Sequence, residues 1–137
     1  MRSPGSPLRH SVQSLVDAAM NEVETVTVEQ ATEMLDDPAV HFVDIREPRE
    51  LELQGMITGA FRAPRGMLEF WVDPESPYYK PALDDGRTLL LYCGSAWRSA
   101  LAAKALSEMG VHVAHLEGGF TAWKEAGAPI VEPEAKS

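Results

Sequence analysis

The sequence LLLYCGSAWRS at residues 89–99, continued by ALAAKAL at residues 100–106, is the stretch from which a fold can be predicted. Its apolar start predicts a buried strand, its Gly/Ser-containing centre a loop, and its Ala/Leu-rich end a helix. The single cysteine of the chain, Cys93, stands where the strand ends, and Arg98 stands where the helix is expected to begin. A thiol in that position faces backbone N–H groups and the positive end of a helix dipole, which stabilise a thiolate and bind an anion.

Short apolar runs alternate with helical patterns along the rest of the chain. Residues 40–45 (VHFVDI) and 111–116 (VHVAHL) are typical of short buried strands, and residues 120–126 (FTAWKEA) of a helix. Residues 27–30 have the form of a capping box that opens another helix. The alternation predicts an α/β fold with a mostly parallel central sheet flanked by helices on both faces. Because ligands bind at the carboxyl ends of such strands, Cys93 is predicted at the ligand-binding edge.

The 137 residues are expected to form one domain with two tails. We predict a disordered N-terminal tail at residues 1–10, a helical extension at 11–24, the main domain at 25–130 and a C-terminal tail at 131–137. Apolar residues at helical spacing make the extension a helix packed on the domain, with a partner-docking helix as the alternative.

Composition excludes several classes of function. A formal net charge of −9 argues against a nucleic-acid surface and against adsorption to an anionic membrane. A single cysteine cannot form an internal disulfide, which fits a reducing compartment. The first residues lack the apolar core of a signal peptide, and no apolar run is long enough to span a membrane, so we expect a cytoplasmic protein.

The residues of the cysteine loop suit anion chemistry. The loop amides would form a nest for an anion, and Arg98 would offer its guanidinium fork to an oxyanion. Gly94 would ease an unusual backbone angle, while Ser95 and Ser99 would donate hydroxyl hydrogen bonds, with Ser99 also expected to cap the helix. The alternative is that Cys93 is a small buried apolar residue.

Four blocks of sequence occur in this order: residues 43–50 (VDIREPRE), 55–60 (GMITGA), 93–99 (CGSAWRS) and 113–123 (VAHLEGGFTAW). Together they resemble the single-domain rhodaneses, a family of sulfurtransferases. The resemblance covers about residues 25–128. The cysteine block has four residues between Cys93 and Arg98, as in that family's active loop, followed by the expected Ser or Thr.

The resemblance implies a rhodanese-like fold and a sulfur-transfer reaction. Cys93 would take sulfur from a small anionic donor such as thiosulfate, become a persulfide and pass the sulfur to a nucleophilic acceptor such as cyanide or a thiol. Cys93 and Arg98 would be catalytic, and no metal or organic cofactor would be needed. The substrate-binding residues would be Gly94, Ser95, Ala96, Trp97 and Ser99. The chain departs from the family at Ala96, where Gly is frequent, at Trp97, where a small or polar residue is frequent, and at Met56, where His is usual.

Outside the cysteine loop, the sequence suggests roles for two further groups of residues. Asp44 and Arg46 either support the active edge from behind or form a structural ion pair. His112 and His115 are expected on opposite faces of one strand, which is poor geometry for a metal site.

Three rival functions remain from the sequence. The first is a cysteine-dependent phosphatase or arsenate reductase, whose loop is one residue longer. The others are a non-catalytic interaction module and a persulfide carrier for a protein acceptor. The sequence defines no oligomeric state.

Overall fold

A computed structural model describes residues 2–133. The helices are α1 (Val12–Glu22), α2 (Val28–Met34), α3 (Pro48–Gln54), α4 (Leu68–Val72), α5 (Trp97–Glu108) and α6 (Gly119–Glu125). The strands are β1 (Glu24–Val26), β2 (Val40–Asp44), β3 (Met56–Ile57), β4 (Phe61–Arg62), β5 (Thr88–Tyr92), β6 (Val113–Leu116) and β7 (Ile130–Val131). Short 3₁₀ turns lie at Arg65–Met67 and Pro81–Leu83. None of the helices in this described part is long and apolar enough to cross a bilayer.

Strand β5 lies at the centre of a five-stranded sheet with the order β1-β6-β5-β2-β4. Every neighbouring pair in this sheet is parallel. Strands β3 and β7 form a separate antiparallel pair. The predicted mostly parallel α/β fold is therefore confirmed, and the most apolar strand is central because it is buried on both faces.

Successive residues of β5 alternate between two apolar cores, as the period of a strand requires. Leu89, Leu91 and Cys93 pack on one face with side chains from α4 and α5. Leu90 and Tyr92 pack on the opposite face with side chains from α2 and α6. Helices therefore cover both faces, as predicted.

The N-terminal helix joins directly to the main sheet. The hydroxyl of Ser11 caps α1, which buries Val16 and Ala19 and packs against α5. The next residues form β1, which pairs with β6 and runs across the predicted boundary between residues 24 and 25. Strands as short as β1 and β7 show too little alternation to be predicted from sequence. The predicted tails include residues 1 and 134–137, which lie outside the described residues.

Helix starts agree with the sequence in one case and differ in another. The capping box at Thr27 and Gln30 is confirmed. Helix α5 begins at Trp97, earlier than predicted, and its N-cap is Ala96. The prediction that Ser99 caps this helix is wrong, because Ser99 is already the third helical residue and is fully buried.

Candidate active site

The backbone of the cysteine loop is held by the start of α6. The N–H of Phe120 donates to the carbonyl of Cys93 at 2.7 Å, and the N–H of Thr121 donates to the carbonyl of Gly94 at 3.1 Å. Gly119 has a φ of +62°, and a Cβ placed there would lie 2.5 Å from the carbonyl oxygen of Cys93. Only glycine allows this close approach of the two backbones.

The sulfur of Cys93 accepts backbone hydrogen bonds from the first turn of α5. The N–H of Ala96 lies 3.2 Å from Sγ and the N–H of Ser99 lies 3.4 Å from it. The first N–H groups of a helix have no partner within the helix, and Ala96 has no side chain that could cap them. The sulfur takes that place, in a site where Cys93 is only 1% exposed. Two N–H donors and a helix N-terminus therefore direct positive partial charge at the sulfur.

Ala96 produces the turn that brings these amides together. Its φ of +82° is the one positive φ at a non-glycine residue among residues 2–133. A left-handed conformation costs an alanine about 1 kcal/mol relative to the right-handed form, which accounts for the family's frequent glycine here. Ala96 is buried, whereas the side chain of Trp97, the other departure in this loop, is exposed.

Arg98 is bound to a carboxylate from α3. Its Nη1 and Nη2 donate to the two oxygens of Glu50 at 2.8 and 2.7 Å. The guanidinium fork that we expected to face an oxyanion therefore faces Glu50. The hydrogen bonds from Arg98 lower the pKa of Glu50 to about 2, and the same pairing raises the pKa of Arg98.

Asp44 and Arg46 form an ion pair that is fully buried, with 2.7 Å between Nη2 and Oδ2. The same Nη2 donates to the carbonyl of Gly55, and the guanidinium carbon lies 4.2 Å from the centre of the Phe120 ring. The pair thus joins the end of β2 to the end of α3 behind the cysteine loop. This is the geometry of the structural ion pair that the sequence left as one of two possibilities.

The other loop residues differ in exposure and in their hydrogen bonds. Gly94 is partly exposed and Ser95 is exposed. Ser99 is buried, with its Oγ 3.7 Å from the sulfur of Cys93 and 3.1 Å from Nδ1 of His115. Beyond His115, Nε2 lies 3.0 Å from Oγ1 of Thr25. Burial lowers the pKa of His115, which keeps its imidazole neutral.

Glu50 and His115 are the site residues that the sequence analysis missed. Both lie inside the blocks that carry the family resemblance, at the end of residues 43–50 and within residues 113–123. Their contacts with the loop could not be predicted, because Glu50 lies 48 positions before Arg98 and His115 lies 16 positions after Ser99. The prediction placed both His112 and His115 on one strand, but His112 is exposed and precedes β6, whereas His115 is buried within it; the prediction assigned His115 no role.

A groove of about 430 Å³ lies beside the loop, between the end of α3 and the start of α6. Its walls include Gln54, Phe120, Thr121 and Lys124. Two of these residues are the ones whose backbones hold Cys93 and Gly94. The groove offers space for a molecule larger than a small anion.

The family model of the rhodanese-like domain matches residues 27–126, which include four of the five strands of the main sheet, all but β1, and the cysteine loop. The chain belongs to the rhodanese-like domain family. It is 34% identical to a protein of Allochromatium vinosum named sulfurtransferase, over 84% of this chain and 98% of that one. It is 32% identical to the thiosulfate sulfurtransferase GlpE of Shewanella oneidensis, over 80% of this chain and all of that one. It also spans 56% of the length of an uncharacterised Synechocystis protein, at 38% identity over 79% of this chain.

One solved structure resembles this rhodanese-like domain over nearly all of both chains. It is a protein of Rhodopseudomonas palustris described as of unknown function and as a possible tyrosine phosphatase. The identity is 43%, the TM-score is 0.89, and the match covers 94% of this chain and 100% of the other. The predicted membership of a rhodanese-like sulfurtransferase family is confirmed by these comparisons.

Proposed function

We propose that this rhodanese-like domain is a sulfurtransferase in which Cys93 carries the sulfur as a persulfide. The Cys93 thiolate attacks the outer sulfur of thiosulfate or a similar donor, the S–S bond of the donor breaks, and sulfite leaves with the bonding electron pair. A cyanide ion or a thiolate then attacks the outer sulfur of the persulfide and restores the Cys93 thiolate. The split into two transfers predicts ping-pong kinetics.

The observation that carries this proposal is the pair of N–H donors from Ala96 and Ser99 on the Cys93 sulfur, at the start of α5. These N–H groups would stabilise the Cys93 thiolate before it attacks the donor and again after the persulfide has given up its sulfur. The names of the sulfurtransferase relatives support the same reaction class. A reducing compartment, which a single cysteine fits, would keep this thiol available.

Recognition of the donor would then rest mainly on backbone groups. Glu50 neutralises most of the charge of Arg98, so we assign to Arg98 the role of shaping the loop and to the loop amides the role of binding the donor's oxygens. Trp97, which is 46% exposed beside them, would be the side chain that a donor or acceptor meets first. The groove between α3 and α6 would receive the acceptor, including one presented by a protein.

Mass spectrometry after thiosulfate treatment tests the persulfide directly. Cys93 is the only cysteine, so an added sulfur atom on the intact chain reports on this residue alone. We expect one added sulfur on the wild type, its removal by cyanide with formation of thiocyanate, and no adduct on Cys93→Ser. A wild type without the adduct, or an adduct that persists in Cys93→Ser, would reject the proposal.

A tyrosine phosphatase is the second candidate, because the similar Rhodopseudomonas structure is described in those words. Two features argue against it here. Only four residues separate Cys93 from Arg98, one fewer than in the phosphatase loop, and the guanidinium is bound to Glu50 rather than free for a phosphate. Hydrolysis of p-nitrophenyl phosphate by the wild type but not by Cys93→Ser, without thiosulfate turnover, would favour the phosphatase.

A further inference from the structure

A chain of polar side chains leads from the sulfur of Cys93 to the protein surface. It runs from Sγ to Oγ of Ser99 at 3.7 Å, from there to Nδ1 of His115 at 3.1 Å, and from Nε2 to Oγ1 of Thr25 at 3.0 Å. Ser99 and His115 are 0% exposed, whereas Thr25 is exposed on the edge strand β1. The interior groups have no solvent, so their hydrogen bonds must be satisfied by one another.

The position of one proton on His115 decides where the Ser99 hydroxyl points. A hydroxyl has a single proton, and Ser99 faces three groups that can accept it: Nδ1 of His115, the carbonyl of Ala96 at 3.2 Å, and the Cys93 sulfur once that thiol has lost the proton it donates to Ser99. That carbonyl already accepts from the N–H of Ala100 at 3.0 Å. If His115 carries its proton on Nε2, Ser99 must donate to Nδ1. If His115 carries it on Nδ1, His115 donates to Ser99, and the hydroxyl proton is free to point at the sulfur.

We propose that His115 is a positioning residue that aims the Ser99 hydroxyl at Cys93 and connects the thiol proton to the surface at Thr25. The proposal rests on Cys93 being the reactive thiol of the proposed function. When the thiol ionises, its proton passes to Ser99, the Ser99 proton to Nδ1, the Nε2 proton to Thr25 and the Thr25 proton to water. One proton leaves the sulfur and one leaves the protein, and the imidazole ends neutral with its proton on Nδ1.

The surrounding charges are consistent with a neutral imidazole. Burial lowers the pKa of His115, and no charged side chain among residues 2–133 opposes that effect. The charged groups near Cys93 are Arg98 on α5 and its partner Glu50 from α3, which offset each other. Behind the loop, the buried pair of Asp44 and Arg46 is likewise neutral overall. The Ser99 hydroxyl is therefore the adjustable donor to the sulfur.

Nitrogen-15 NMR of the full-length wild type tests the tautomer without any substitution. The spectrum is recorded under reducing conditions, at a pH where the ultraviolet absorbance of the thiolate has reached its plateau. We expect His115 to be neutral with its proton on Nδ1, and to move towards the Nε2–H form when Cys93 is protonated or alkylated. An Nε2–H imidazole beside the thiolate would overturn the proposal, because Ser99 would then donate to His115.

Alkylation of Cys93 by iodoacetamide tests the consequence for the sulfur. Below the pH of the plateau, His115→Phe should slow alkylation roughly tenfold, the size of one hydrogen bond to a charged group. His115→Asn keeps a nitrogen donor near the position of Nδ1 and should restore most of the rate. Thr25→Val, a milder change at the exposed end, should give a smaller decrease. The control is His112→Phe on the exposed side of the same segment, which should leave the rate unchanged.

Non-additivity separates this role from ordinary packing. In a Ser99→Ala background, His115→Phe should have no further effect on alkylation, because the hydroxyl through which it acts is gone. Equal effects in both backgrounds, or an unchanged rate in His115→Phe, would overturn the proposal while leaving sulfur transfer intact. Absence of a persulfide in a protein with the expected tautomer and alkylation rates would reject the proposed function and leave the role of His115 standing.

Discussion

The ion pair between Arg98 and Glu50 should make the free energy of unfolding depend on pH. Glu50→Gln removes the charge of this side chain but keeps its size and one oxygen that can accept a hydrogen bond. Glutamine also retains the capping-box contact that Glu50 makes with the N–H of Glu47 at the start of α3. The substitution therefore removes the charge of the carboxylate together with one of the two hydrogen bonds from Arg98.

The expected magnitude is about 1 kcal/mol of unfolding free energy at neutral pH. The fall in the pKa of Glu50 from 4.5 to about 2 would correspond to about 3 kcal/mol if it were all transferred to stability. The side chain of Arg98 is 42% exposed, however, so solvent screens its attraction to Glu50. The screening reduces the expected loss of unfolding free energy to about 1 kcal/mol, which is typical of a bidentate ion pair at the surface.

The pH dependence has a definite sign. Because folding lowers the pKa of Glu50, the pair contributes its full stabilisation above about pH 4.5, and the contribution is lost as the pH falls from 4.5 towards 2. The wild type and Glu50→Gln should therefore differ at neutral pH and converge in acid, where both carry an uncharged side chain.

Urea unfolding followed by tryptophan fluorescence measures this difference across the pH range. The matched control is Glu52→Gln, an exposed residue on the same helix that makes no ion pair among the described residues and whose substitution changes the net charge equally. Two results would refute the electrostatic explanation. The first is a difference in unfolding free energy between the wild type and Glu50→Gln that stays constant with pH. The second is the same pH-dependent difference in Glu52→Gln.

Two further experiments, with three substitutions between them, test how the loop is supported. Asp44→Asn leaves the buried guanidinium of Arg46 without its counter-charge and should cost about 3–5 kcal/mol in urea unfolding, whereas a loss below about 1 kcal/mol would contradict its role as a buried pair. Gly119→Ala and Gly127→Ala both place alanine at a positive φ, which costs about 1 kcal/mol, but only the first drives a Cβ into the carbonyl of Cys93. Gly119→Ala should therefore lower the melting temperature further and also slow alkylation of Cys93, and equal losses for the two variants would show that the close contact is unimportant.

Much of the fold could be predicted because the signals are local. The apolar run before Cys93, the Thr27 capping box and the alternation of strands and helices each depend on residues within one or two turns of chain. The short strand β1 could not be predicted, since it exists through its pairing with β6 rather than through its own pattern. Ser99 was misplaced as a cap because the helix begins at Trp97, after a left-handed Ala96 that the sequence alone does not reveal.

For the site, the sequence by itself determined the position of the thiol and the length of its loop. Both follow from residues 89–99 and from their order along one strand, loop and helix. Only the tertiary structure decided which groups face that thiol. Parallel strands and crossover helices bring Glu50 to Arg98 and His115 to Ser99 from distant parts of the chain, and so determine which charges are paired and where the Ser99 proton can point. The physical reason is that hydrogen bonds and ion pairs depend on distance in space, which sequence separation does not give.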